Sequence, residues 1–158
     1  MTTLTQARAE LRENMEKGMD CPCCTQYVKL YKRSMTASMA CALIYVYRYF
    51  ERHGYGEPLH VGQYLNALDL PGPVRSTGDF AKLRFWGLVE YVEGTREDGS
   101  NRNGYFYLTQ EGKAFVEGRL HVPRRVYIFN NKCYGKDTDT ITIQDALKNK
   151  FNYTELMA

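Results

Sequence analysis

The sequence predicts an α+β fold, on two observations. The first is Phe80-Ala81-Lys82-Leu83-Arg84-Phe85-Trp86-Gly87-Leu88-Val89-Glu90, a short amphipathic helix stopped by a glycine and running straight into a strand. The second is Tyr107-Leu108-Thr109-Gln110-Glu111-Gly112-Lys113, the end of a strand followed at once by a helix that Thr109 caps. A polar, turn-rich stretch from Gly94 to Gly104 separates them, so the two strands read as a hairpin.

The remaining elements follow along the chain. Thr3-Leu4-Thr5-Gln6 has capping-box spacing and opens a first helix. Leu4, Ala7, Leu11 and Met15 form its apolar stripe, and Gly18 is a natural stop. A cysteine turn follows, then a short strand-like run from Tyr27 to Arg33. Ser34 is placed to cap a second helix, Met35 to about His53, whose core stripe is Met35, Met39, Leu43, Val46 and Phe50. A short helix is expected around Gly62 to Leu68, before the hard break Pro71-Gly72-Pro73. Ser76 or Thr77 caps the third helix, with Phe80, Leu83 and Trp86 as its buried side. Val126-Tyr127-Ile128-Phe129 is strongly strand-like, and Asn130-Asn131-Lys132 resembles a hairpin turn. Thr140-Ile141-Thr142-Ile143 alternates like another strand, and Gln144 to Phe151 reads as a short helix. The domains expected are therefore an N-terminal helix and cysteine turn (1–34), a central domain (35–118) and a C-terminal hairpin-helix appendage (119–158). The last is too short to fold alone.

Composition sets the outer bounds. The 158 residues suffice for one domain with a core and appendages. A net charge of +3 is too small to mark a nucleic-acid binder, so charge placement must carry that argument. No apolar run is long enough to cross a bilayer, and Thr2 to Lys17 lacks the apolar stretch of a signal peptide. The expected location is cytoplasmic, in a bacterial host on the resemblance given below, with no membrane partner. Five cysteines in a reducing compartment point to metal or burial rather than disulfides.

Residues 35 to 118 resemble the winged-helix domain of MarR- and PadR-type bacterial regulators. Three pieces carry the resemblance: Leu83 to Glu90; the polar wing Arg96-Glu97-Asp98-Gly99-Ser100-Asn101-Arg102; and Tyr107 to Lys113, similar to the tyrosine-x-leucine-threonine-x-x-glycine ending of those wings. The fold expected is thus a winged helix-turn-helix core between the N-terminal and C-terminal pieces. The segment Asp69 to Arg75 departs from the pattern, being longer and stiffer than a usual helix-turn-helix connection. The whole chain also resembles uncharacterised bacteriophage and prophage proteins with a cysteine turn and a similar Lys-Leu-Arg-x-Trp-Gly-Leu core. That implies a phage setting and brings no activity with it.

Placed in a major groove of double-stranded DNA, the third helix would present Arg75, Ser76, Thr77 and Lys82. The first three suit phosphate contacts, and Lys82 would reach a base edge or a phosphate. Arg96 and Arg102 of the wing would add to them, offset by Glu93, Glu97 and Asp98. Further basic groups, Lys29, Lys32 and Arg33, are interleaved with the aromatics Tyr27 and Tyr31.

Cys21-Pro22-Cys23-Cys24 is knuckle-like, with two thiolates able to converge on one Zn2+ ion. A structural zinc takes four ligands, and there is no second pair at that spacing. The candidate set is Cys21 and Cys24 with Cys133 and His121, against the alternative of thiols without metal; zinc shared between two chains is a further arrangement. Catalysis finds little support. The three histidines are scattered, and no carboxylate pair is framed as acid and base.

The expectation is a non-enzymatic, phage-type DNA-binding winged-helix protein acting as a transcriptional regulator. The alternative is a phage protein that binds a host protein complex, as inhibitor or adaptor, through the same scaffold without reading DNA. A homodimer through the first helix or the C-terminal piece fits either.

Overall fold

The computed structural model describes residues 2–93, 102–129 and 132–158. In chain order the elements are helix α1 (Leu4–Glu13), strands β1 (Met19–Asp20), β2 (Tyr27–Val28) and β3 (Tyr31–Ser34), and the long helix α2 (Ala37–His53). Strand β4 (Leu59–His60), helix α3 (Val61–Ala67), a 3-10 turn at Gly72–Arg75 and helix α4 (Thr77–Ala81) come next. A second 3-10 turn, Lys82–Trp86, continues α4 and leads into β5 (Val89–Glu93), β6 (Arg102–Leu108) and α5 (Gln110–Val116). The chain closes with β7 (Val122–Pro123), β8 (Arg125–Phe129), β9 (Lys132–Lys136), β10 (Thr140–Ile141), α6 (Ile143–Leu147) and α7 (Tyr153–Met157). The architecture is mixed α+β. Among the described residues no helix is long and apolar enough to cross a membrane.

Two compact units divide the chain: Met1–Ser34 with Arg125–Thr138, and Met35–Arg124 with Asp139–Ala158. The stretch 119–158 is therefore shared between them rather than standing as one appendage. Its hairpin, β8–β9, belongs with the N-terminal piece, and α6 and α7 belong with the central one. The reason is strand pairing. β8 is flanked on one side by β9 and on the other by β3, in the antiparallel order β3-β8-β9.

In the first unit, α1 carries its expected capping box: Thr3 Oγ1 accepts from Gln6 N, and Gln6 Oε1 accepts from Thr3 N. The helix stops at Glu13, a turn short of Gly18, and of its expected stripe only Ala7 is fully buried while Leu4 is exposed. The strand-like run from Tyr27 to Arg33 splits in two. Tyr27–Val28 pairs with β1 across the cysteine turn, and Tyr31–Ser34 pairs with β8.

The second unit is built on α2. Most of this helix is buried on every side from Ala37 to Val46, and α3, α4, α5, α6 and α7 all pack against it. Its N-cap is Thr36, whose Oγ1 accepts from Met39 N, and not Ser34, which the β3–β8 ladder holds. The three-stranded sheet runs in the order β4-β6-β5. Gly87 takes the left-handed conformation (φ +76°) that ends the 3-10 turn before β5. Phe80, Leu83 and Trp86 are buried, and Trp86 Nε1 donates to the Pro123 carbonyl at 2.8 Å. Thr140-Ile141 pairs with β7, and Thr142 caps α6, so the strand expected over 140–143 is cut to two residues.

Candidate nucleic-acid interface and cysteine turn

Four of the residues expected to meet DNA lie together at the start of the third helical segment. Arg75 ends the 3-10 turn and is exposed. Ser76 is the N-cap of α4, its Oγ accepting from Asp79 N at 3.4 Å, so part of its hydrogen-bonding capacity is already used. Thr77 is exposed at the first helical position. Lys82 lies on the continuing 3-10 turn, and its Nζ sits 3.2 Å from Asp79 Oδ1. Both members of that pair are partly exposed, so the bond is weak. The carboxylate nevertheless competes with a phosphate for Lys82. Arg96 lies outside the described residues, and Arg102 opens β6, where its backbone pairs with Glu93.

The hairpin behind this helix is locked by the threonine and glycine of the strand-end motif. Thr109 Oγ1 donates to the Gly87 carbonyl at 2.7 Å and accepts from Gly112 N at 2.9 Å. Thr109 N donates to the Leu88 carbonyl. One residue, by its side chain and its backbone N–H, thereby joins the end of the helical segment, the entry to the hairpin and the helix beyond it.

The cysteine turn is a tight loop on the two-residue ladder β1–β2. Cys21 N donates to the Gln26 carbonyl at 2.7 Å and Thr25 N to the Cys21 carbonyl at 2.8 Å. Thr25, a β-branched residue, is held at φ +63°. The backbone N–H groups of Cys24 and then Cys23 lower the Cys21 thiol pKa from its ordinary value. Cys24 and Cys23 are exposed. Of the other expected ligands, Cys133 is exposed on β9 with Sγ donating to the Gly135 carbonyl at 3.3 Å, and His121 is exposed just before β7. Among the described residues no three His, Cys, Asp or Glu side chains gather into a metal-binding group. Cys133 belongs to the same unit as the turn, and His121 to the other.

Two features escaped the sequence. His60 is the N-cap of α3, its Nδ1 accepting from Gln63 N at 3.1 Å, with the Tyr105 ring edge-on at 5.0 Å. The residue type hid it, since histidine is not among the usual caps. The second is a cleft of about 660 Å³ in the first unit, lined by Glu16, Lys29, Leu30, Tyr31, Lys32 and Tyr127. Its lysines and Tyr31 were visible as a basic-aromatic run, but Tyr127 reaches them only through the β3–β8 pairing.

No protein-family model matches the chain, and comparison with curated proteins and with solved structures finds no match.

Proposed function

We propose that the chain is a small winged-helix DNA-binding protein of phage type, acting as a transcriptional regulator. The observation that carries this reading is the succession in the second unit of helical segment 77–86, hairpin β5–β6 and capped helix α5, with β4 completing the sheet. A hairpin directly behind a helix whose start exposes Arg75 and Thr77 suits a protein that lays the helix along a duplex. Arg75, Ser76 and Thr77 would hold phosphates, and Lys82 would exchange Asp79 for a base edge or phosphate. The phage setting and the regulatory role come from the resemblance alone.

A second reading, binding of a host protein complex, is favoured by electrostatics. The second unit carries twelve Lys and Arg against thirteen Asp and Glu, so it has no positive field to draw in DNA. Its exposed Tyr105 lies on the sheet beside His60, a side chain type suited to a protein interface.

Fluorescence anisotropy with labelled duplex DNA at about 50 and 200 mM salt separates the two. The regulator reading expects micromolar binding at the lower salt, a steep loss at the higher, and loss on Arg75→Glu. Duplex binding that is absent, or indifferent to Arg75→Glu, rejects it. Capture of a host protein that Tyr105→Ala abolishes and Arg75→Glu spares would then establish the alternative.

A further inference from the structure

We propose that the first unit binds single-stranded DNA in the cleft formed by Glu16, Lys29, Leu30, Tyr31, Lys32 and Tyr127. The proposal rests on the duplex-DNA reading only in choosing DNA over RNA.

Charge is the first ground. The first unit holds nine Lys and Arg against five Asp and Glu, so the positive excess of the whole chain resides there. Of its described cations Arg125 is paired, with Asp137. Among the described residues Lys29, Lys32, Arg33, Lys132 and Lys136 make no ion pair, whereas Lys82, Lys113, Arg119 and Arg124 of the other unit each hold a carboxylate. Two carboxylates face the region. Glu16 lines the cleft, and Asp137 is engaged by the Tyr127 hydroxyl and the Arg125 guanidinium. The balance still favours an anionic ligand.

Shape and aromatic content are the second ground. β3 is an edge strand paired only with β8, and all four of its residues are exposed. Tyr31 is 44% exposed, and the Arg33 guanidinium lies 5.3 Å from its ring centroid. Together they make a flat, partly cationic platform of the kind on which unpaired bases stack. Lys29 and Lys32 line the same cleft as Tyr31 and supply charge for a phosphate backbone. A duplex would gain little from Tyr31, because its bases are already stacked on one another, so the combination of ring and lysines selects a single strand. Lysine on an edge strand also blunts aggregation, and that role alone would leave binding insensitive to Tyr31.

The test uses the full chain and a labelled oligothymidylate of about 12 nucleotides, with oligouridylate and a duplex of the same length alongside. Tyr31→Ala is expected to weaken oligothymidylate binding about tenfold, with Tyr31→Phe retaining it, since the phenyl ring still stacks. Lys29→Gln with Lys32→Gln is expected to weaken it and to flatten its salt dependence. Arg75→Glu should leave it unchanged, which keeps the outcome separate from that for the duplex. All these positions are exposed or half-exposed, and far-UV circular dichroism checks that each variant is folded. Absence of oligothymidylate binding, indifference to both Tyr31→Ala and the lysine pair, or tighter binding of oligouridylate would overturn the proposal.

Discussion

A Cβ placed on Gly112 would lie 2.2 Å from the Leu88 carbonyl oxygen and 2.7 Å from Leu108 Cδ1. Helix α5 therefore sits directly against the entry to the hairpin, and only glycine permits that approach. Gly112→Ala is expected to destabilise the protein by about 3 kcal/mol, read as a lower urea midpoint at unchanged slope. A midpoint equal to wild type would mean that α5 is free to move away. The cysteines divide by environment in the same way. Backbone N–H groups lower the Cys21 thiol, while burial raises Cys41 to about 11. Near neutral pH, Cys21 therefore carries far more thiolate and is expected to be alkylated by iodoacetamide well before Cys41. Peptide mass spectrometry over a time course would check this, and equal labelling rates would reject it.

At the scale of elements, the chain is punctuated by side-chain caps: Thr3, Thr36, His60, Ser76, Thr109, Thr142 and Asn152 each accept from the backbone three residues on. Thr109 does more than cap, since its hydroxyl also holds the Gly87 carbonyl. Thr109→Ala should cost about 1–2 kcal/mol, at the upper end of the range for a lost cap. Thr109→Ser, which keeps the hydroxyl, should recover most of it in the same urea experiment. Caps of this kind were legible where the residue types agreed with the pattern, as at Thr3, Ser76 and Thr109. Ser34 was misleading because it has the right chemistry but its backbone is taken by β8. Thr142 was hidden by the apparent alternation of Thr140 to Ile143, which yields to the capping box that Thr142 forms with Asp145.

At the scale of the whole molecule, three carboxylates among the described residues are held below their usual range. Arg119 and then Tyr47 lower Glu117 through hydrogen bonds, Tyr127 and then Arg125 lower Asp137, and the Thr142 backbone and side chain lower Asp145. Each binds fewer protons folded than unfolded over the interval between its two pKa values. Their stabilisation is thus fully present above the unfolded value, about pH 4, and is lost as pH falls through the depressed one. The urea midpoint is expected to hold from neutral pH to about 5 and to fall below about 4. Asp145→Asn should lower stability at neutral pH and converge on wild type in acid. A midpoint that is level or rising down to about pH 3 would contradict this.

What the sequence determined by itself is local. The capped helix starts, the glycine stop before β5, the hairpin strands and the buried stripe of α2 all depend on groups within a few residues of one another, and residue type encodes them directly. That Arg75, Ser76, Thr77 and Lys82 lie along one short helical segment was legible for the same reason; the pairing of Lys82 with Asp79 was not. Only the tertiary structure decided that β3 joins β8, far along the chain, and so that the C-terminal hairpin completes the N-terminal unit. Ladder hydrogen bonds are made by backbone groups common to every residue, and a short edge strand exposed on both faces carries no alternation to reveal its partner. The same pairing brought Tyr127 to Lys29, Tyr31 and Lys32 at one cleft, in the unit that carries the positive excess.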